Sequence, residues 1–451
     1  MMLTLNPHKV FYVNGNHYLY IAKTGAIFQL DDATLRLIAL NGKNMEDASR
    51  EMENEFGMSQ EKFSDILKEF RDVRLMGLVD EDKDWEFSPS HLHGIELMVC
   101  QCCNLACKYC YATEGEYSNP GWMTEDVGKK AIDFLFRHAT QQFLRVSFFG
   151  GEPLLNFKLI ATLVEYAKTV ADSCGKTVSF AVTTNGTLID DKIAEFLTKN
   201  KFYISLSVDG TRENHNTCRI NKTGTGSYDE SIKMLPSLSK NQITLRATST
   251  PENCNYPEIS NALYDLTKNE YFIAEAMNCF TTDDSLLKIE QSYDLLIKKF
   301  QDDLLDGDVR KCRANMVIYN NLKRIAHFEE RSCHCSAFIH GIAININGDI
   351  FPCHRFVGTD YSIGNVHSTE FENDLATIAF NRDFMFKNRI GCSSCWAQNL
   401  CVGGCPYLNL EATGSCQIPS PARCRLTRYL LEKVIPLYLS LTDAQKKALD
   451  L

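Results

Sequence analysis

The residues best able to do chemistry in this 451-residue chain are its 19 cysteines, and they are clustered. Five fall between Cys100 and Cys110 and nine between Cys333 and Cys424. Without a secretory signal, thiols grouped this way hold metal more often than they form a disulfide framework. Cys103, Cys107 and Cys110 follow a C-x3-C-x2-C spacing, one thiolate short of the four-cysteine ferredoxin run. A four-iron cluster held by three cysteines keeps one iron open to an outside ligand, so it can bind and reduce a molecule as well as pass electrons. The competing reading is a zinc site completed by Cys100, Cys102 or a distant ligand. A second array, Cys392-x2-Cys395-x5-Cys401-x3-Cys405, has Cys335-x12-Gly348-x4-Cys353 upstream and Cys416 and Cys424 downstream. It is a strong metal signature in an intracellular chain, and a zinc ribbon is the alternative for this half.

The elements that must position these thiols are legible from periodicity. Val10–Val13 and Tyr18–Ala22 flank the turn Asn14-Gly15-Asn16, which predicts a hairpin. Helical spacing follows at Leu35, Ile38 and Ala39, then at Ala48, Met52 and Phe56, then from Phe63 to Val73 with Ser59 as N-cap. Hairpin plus three helices predicts a winged-helix-like module over 1–85, with Glu81–His93 as linker. From Ile95 to Ala276, strands at Ile95–Val99, Leu144–Phe149, Thr177–Val182, Phe202–Val208, Ile243–Ser249 and Tyr271–Ala276 alternate with helices at Glu125–Arg137, Leu159–Ser173, Asp190–Lys199 and Pro257–Lys268. Six such βα units predict an α/β fold with a parallel sheet, as a partial barrel or an open sheet. Ser285–Glu330 reads as helical, and 331–430 as short strands and turns ordered by metal.

Composition excludes several classes. Hydrophobic residues are 44% and charged residues 23%, ordinary globular values. No window approaches the length of a membrane span. Met1–Tyr12 lacks a signal-peptide pattern, so a cytoplasmic protein is expected. A net charge of −10 argues against a phosphate-neutralising nucleic-acid binder. The first 85 residues alone carry 10 basic against 15 acidic side chains, which argues against a DNA-binding winged helix.

The trio Cys103, Cys107 and Cys110, with Tyr109 at the aromatic position, resembles the motif of the radical S-adenosylmethionine (SAM) enzymes. Phe148-Phe149-Gly150-Gly151-Glu152-Pro153 resembles that family's glycine-glycine-glutamate-proline motif. Thr183-Thr184-Asn185-Gly186 and Ser205-Leu206-Ser207-Val208-Asp209-Gly210 follow in the expected order. The resemblance implies a partial (β/α)6 barrel core over 90–305 and SAM contacts from Tyr109, Gly150, Gly151, Glu152, Asn185, Ser207 and Arg219. Of these, Glu152 would accept from the methionine ammonium, Ser207 would face the ribose and Arg219 would pair with the carboxylate. It also implies reductive cleavage of SAM to a 5′-deoxyadenosyl radical, with electrons from a donor such as a flavodoxin or ferredoxin.

The downstream cysteines resemble the SPASM extension, expected over 306–430 with a C-terminal helix at 431–451. This implies three [4Fe-4S] clusters in all. Cys335, Cys353 and Cys405 would hold the first auxiliary cluster, with Cys333, Cys312 or a substrate thiolate as fourth ligand. Cys392, Cys395, Cys401 and Cys424 would hold the second. The N-terminal module resembles the PqqD-like element, which binds the leader of a ribosomally made precursor peptide by strand addition, here at a hairpin edge beside Leu35, Ile38 and Leu40. The strings Cys110–Tyr117, Met123–Ala131, Gly224–Tyr228 and Ile350–Gly358 are similar to thioether-forming ranthipeptide (SCIFF-like) maturases. His354 stands where sulfatase-maturing relatives carry an aspartate, which leaves the general base open, with His354 a candidate. Carbon–carbon crosslinks, epimers or formylglycine are the alternative products, and a zinc-stabilised peptide-binding scaffold is the alternative of another class.

Overall fold

Asn14 and Gly15 adopt positive φ, 50° and 83°, the two-residue turn whose twist suits a tight hairpin. They join β1 (His8–Val13) to β2 (Asn16–Ile21), with Val13 opposite Asn16 and Val10 opposite Leu19. A third strand absent from the sequence reading, β3 (Ile27–Leu30), pairs with the other side of β2. It has four residues, two consecutive ones exposed, so no alternation marks it. The helices Asp32–Ala39, Met45–Phe56 and Gln60–Asp72 start at Asp31, Asn44 and Ser59, whose side chains accept from Thr34, Glu46 and Lys62 backbone N–H groups, satisfying donors a helix start leaves unpaired. Leu19, Ile21, Leu37, Ile38, Met52, Phe63, Leu67 and Phe70 are among the side chains of their shared core.

The computed structural model describes residues 1–77, 91–331, 333–335, 340–368 and 385–451; most of the expected linker Glu81–His93 lies outside them. The chain forms two compact units that do not follow its linear order. The first unit joins Met1–Trp85 to Ile318–His334 and Asp383–Leu451. Within it, Trp396 meets Phe11 and Tyr20 edge-on at 5.9 and 6.3 Å. Asn399 Nδ2 donates to the Ala22 and Lys23 carbonyls at 2.7 and 3.0 Å. The helix Pro421–Ser440 lies along β1, where Lys9 pairs with Glu432.

The second unit, Glu86–Val317 with Cys335–Arg382, is built on one sheet. Its parallel strands are β4 (Gly94–Gln101), β6 (Phe143–Gly150), β7 (Thr177–Thr184), β8 (Tyr203–Ser207), β9 (Ile243–Ser249) and β10 (Tyr271–Glu275), in the order β10-β9-β8-β7-β6-β4. The short strand β5 (Gly121–Trp122) pairs with the end of β4. Beyond β4 the sheet continues through β11 (Gly341–Ile344), parallel to it, then β12 (Asp349–Phe351) and β13 (Gly364–Asn365), antiparallel. The first downstream cysteine segment thus extends the same sheet as the core, which spacing alone does not reveal.

The two faces of this sheet differ in chemistry. Ile95, Leu97, Val146, Phe148, Phe180, Val182, Ile204, Leu206, Ile243 and Leu245 are buried on one face, against which the helices Glu125–His138 and Phe157–Ser173 pack. Burying such side chains stabilises by about 1.5–3 kcal/mol each. The intervening residues put Glu96, Ser147 and Ala181 in one cross-strand row, Thr183, Ser205 and Thr244 in the next, and Ser207 beside Arg246 above that. A half-buried polar face is a poor core and a good binding surface.

Candidate functional site

The loops after β4, β6, β7 and β8 all emerge at the carboxyl end of the parallel strands, the end at which α/β folds bind ligands. The loop after β4 carries Cys103, Cys107 and Cys110 and is pinned on both sides by backbone hydrogen bonds. Ala106 N donates to Ile220 O at 2.8 Å, Lys108 N to Cys218 O at 3.0 Å, and Leu105 forms an antiparallel bridge with Asn221. On its other side, Gly151 N and Glu152 N donate to Cys100 O and Cys102 O at 3.1 and 2.9 Å. An added Cβ at Gly150 or Gly151 would lie 2.0 Å from Cys100 O or 2.1 Å from Cys102 O. The paired glycines are therefore required by the chain's own backbone, and they seat the cysteine loop.

The thiols lie near enough that Cys107 and Cys110 oppose charge on Cys103, and Cys110 opposes it on Cys107. Burial, then the Glu152 charge, pushes the Cys103 thiol up to about 12. Burial likewise raises Cys107 to about 11, against the pull of Arg219. Yet among the described residues no three His, Cys, Asp or Glu side chains gather closely enough to hold a single ion. A tetrahedral zinc needs every sulfur about 2.3 Å from one ion, whereas a cluster spreads its thiolates over separate irons. Three thiols on one loop fit a four-iron cluster with one iron open, whereas a structural zinc calls for a fourth protein ligand. Cys100 stands apart, buried, with its thiol donating to Glu152 O at 2.9 Å.

The residues expected around SAM are tied together by the protein itself. Glu152 is 1% exposed. Burial lifts its pKa to about 7, and hydrogen bonds hold it back: Asn185 N donates at 2.7 Å, Thr184 Oγ1 at 2.7 Å and Leu154 N at 3.1 Å. Asn185 Nδ2 donates to Asn104 Oδ1 at 3.0 Å, linking this turn to the cysteine loop. Tyr109 Oη donates to Asp209 Oδ2 at 2.6 Å, and Arg219 Nε lies 3.0 Å from the same oxygen. Ser207 sits half-buried at the end of β8 on the polar face, where the Ser205 hydroxyl, two residues before it, is buried without a hydrogen-bond partner among the described residues.

Farther along that face, His354 Nδ1 is 2.7 Å from Glu96 Oε2 and its ring stacks on Phe149 at 4.4 Å. Tyr111 and Tyr117 share a hydrogen bond of 2.9 Å, and Arg355 lies over the Tyr111 ring at 4.6 Å. Sequence reading named His354 but missed Glu96 and Asp209 as site residues. Glu96 had a signal, a lone carboxylate inside the apolar run Ile95–Val99. Asp209 had one too, next to Gly210 after a strand.

In the first unit, burial first, then the charges of Cys401, Cys424 and Cys395, raises Cys392 to about 12. Cys416 is buried nearby in sequence, and its carbonyl accepts from Asn409 Nδ2 at 3.3 Å. The other expected set is divided: Cys335 and Cys353 belong to the second unit, Cys405 and Cys333 to the first. Cys312 is buried among helices with its thiol on Phe300 O at 3.6 Å. Ile38 and Leu40, expected beside an open hairpin edge, are core residues at 5% and 1% exposure; the edge strand itself is β3, with Phe28 41% exposed.

Residues 97–250 match the Radical SAM superfamily, and residues 335–396 match the SPASM iron–sulfur cluster-binding domain. A serine-type anaerobic sulfatase-maturating enzyme of Bacteroides thetaiotaomicron is 24% identical over 350 residues, covering 69% of this chain and 81% of that protein. The radical SAM cyclopropyl synthase TigE of Paramaledivibacter caminithermalis is 24% identical over 361 residues, covering 76% and 74%. In fold, the chain is similar to native anSMEcpe with bound AdoMet, with a TM-score of 0.64 at 20% identity over 77% of this chain and 98% of that one. No described helix is long and apolar enough to cross a membrane.

Proposed function

We propose that this radical SAM and SPASM protein is a peptide maturase that joins a cysteine sulfur to a carbon of another residue in a ribosomally made precursor. The observation that carries the reading is the meeting of two features in one unit. A three-thiol loop stands at the carboxyl end of a parallel sheet, and the sheet's face away from the helices is polar and half-buried. With a four-iron cluster and SAM bound there, the site supplies a 5′-deoxyadenosyl radical able to take hydrogen from an unactivated carbon. Cys103, Cys107 and Cys110 hold the cluster. The glycine pair and the Glu152–Asn185 bonds fix the loops around it. Ser207 and the polar face orient SAM and the peptide, and Phe149, Tyr111 and His354 shield the reacting carbon from water.

A peptide substrate is supported by the similarity to sulfatase-maturating enzymes, whose name implies a protein target, and by the N-terminal module. There, among the described residues, β3 pairs on one side only while β1 carries the helix Pro421–Ser440, so a leader adding a strand has β3 to add to. The acidic balance of the module favours a basic or amphipathic leader. Cys335, Cys353 and Cys405 are assigned to a first auxiliary cluster that takes the substrate thiolate, and Cys392, Cys395, Cys401 and Cys424 to a second. A flavodoxin- or ferredoxin-like donor is assigned as the electron source. Formylglycine formation, suggested by the same relatives, is disfavoured by His354 in place of an aspartate.

The test is mass spectrometry of a cysteine-containing precursor expressed with the chain. A loss of two hydrogens with one thiol made unreactive to alkylation is expected. A modified product with an unchanged thiol count contradicts the thioether.

A further inference from the structure

Arg219 is 8% exposed and Asp209 is fully buried, which is expensive for any charge that lacks a partner. Their contact at Nε is an ion pair at 3.0 Å rather than an aligned hydrogen bond. Asp209 is fixed from several directions: Tyr109 Oη donates to Oδ2 at 2.6 Å, Thr248 N to Oδ1 at 2.8 Å, and Asn253 Nδ2 to its carbonyl at 3.2 Å. The Tyr109 ring lies 5.4 Å from the Arg219 guanidinium. His215 lies 3.0 Å from Ser227 Oγ, and Ser227 donates to Arg219 O at 2.9 Å. The same segment supplies the Cys218 and Ile220 carbonyls that pin the cysteine loop. One side chain of that loop, Cys107, packs with Tyr109 and with Cys218, the residue next to Arg219.

We propose that Arg219, held by Asp209 and Tyr109, is a positioning residue whose charge beside Cys107 sets the reduction potential of the cluster carried by Cys103, Cys107 and Cys110. This departs from a role on the SAM carboxylate, and it rests on the reading of that trio as the cluster site. Reduction adds one electron to the cluster, and in a water-poor site a fixed positive charge beside a ligating sulfur favours the added electron while a negative one opposes it.

The experiment is a redox titration of the reconstituted full chain without SAM, following by electron paramagnetic resonance the signal that SAM addition perturbs. Arg219→Gln is expected to lower the midpoint potential and Asp209→Asn to raise it, with Arg219→Lys close to the parent. A general loosening of the fold would move the first two the same way. Because either change strands a buried charge, Tyr109→Phe is titrated as well; it keeps both charges, removes the hydroxyl that screens Asp209, and is expected to lower the potential. Potentials that coincide with the parent in all variants, with loss confined to SAM affinity, overturn the inference. A parent chain that shows no SAM-responsive signal overturns the cluster assignment beneath it instead.

Discussion

The two cysteine sets are held in place by different means. The first sits on a regular sheet: Cys103, Cys107 and Cys110 follow β4, and their loop is pinned by bonds to Cys218, Ile220 and the Gly151–Glu152 turn. A wall of buried aliphatic and aromatic side chains lies beneath. The second set stands on turns and short helices. Cys395 N reaches back to Cys392 O, Cys401 N to Ala397 O, and Cys424 enters the first turn of the helix that Ser420 caps. Among the described residues its apolar support includes Phe386, Ala397, Leu400, Val402 and Leu426. A scaffold with its own core can present three thiols and leave a coordination position open. A region built on turns and short helices would gain more of its order from a bound metal.

Removing iron should separate the two regions most sharply. Cys401→Ala is expected to cost about four of about twelve irons per chain. It should also erase hydrogen-exchange protection over the described part of 385–430 while leaving β4 and β6 to β9 protected. Equal loss of protection in both regions would dissolve the contrast. Next in size is Trp396→Ala, which removes the ring contacts to Phe11 and Tyr20. About 2–3 kcal/mol of stability should go, short of a fully buried tryptophan because this one is half-exposed, read as a lower denaturant midpoint for the first unit alone.

A pH scan probes the clamp on the regular side. His215 is buried, and burial first, then Arg219, lowers its pKa to about 3, whereas in the unfolded chain it titrates near 6.5. Protons therefore favour unfolding: the His215 contribution is full above about pH 6.5 and is lost progressively as pH falls toward 3. In His215→Gln the acid limb of the stability profile should flatten. The smallest effect is on a helix of the sheet layer. Thr124 Oγ1 accepts from Val127 N at 3.3 Å, and Thr124→Ala should cost about 1 kcal/mol with no change in iron content.

The contrast also explains what was legible in the chain. Elements bounded by periodicity and caps could be read closely: Ile243–Ser249 is a strand over that range, Glu125–Arg137 is a helix ending one residue later, and Ser59 caps its helix. β3 was invisible because four residues with Phe28 and Gln29 exposed carry no period. The continuation of the core sheet into β11 to β13 depends on pairing Gly341–Ile344 with Gly94–Leu97, more than 200 residues apart, and local pattern does not record such pairing. For the site, cysteine spacing named the thiols, but their surroundings depend on distant partners. Arg219 was read toward a ligand, and sequence order does not show that Asp209 and Tyr109 close on it as well. The glycines were read the same way, and their close packing on the Cys100 and Cys102 carbonyls is a second requirement that sequence order does not show.

The central claim is that the β4 loop carries an open cluster that splits SAM. The most direct test is 5′-deoxyadenosine formation by the anaerobically reconstituted chain with SAM and dithionite, comparing the parent with Cys107→Ala. The account predicts steady formation by the parent and background levels in the variant; equal formation by both would contradict it.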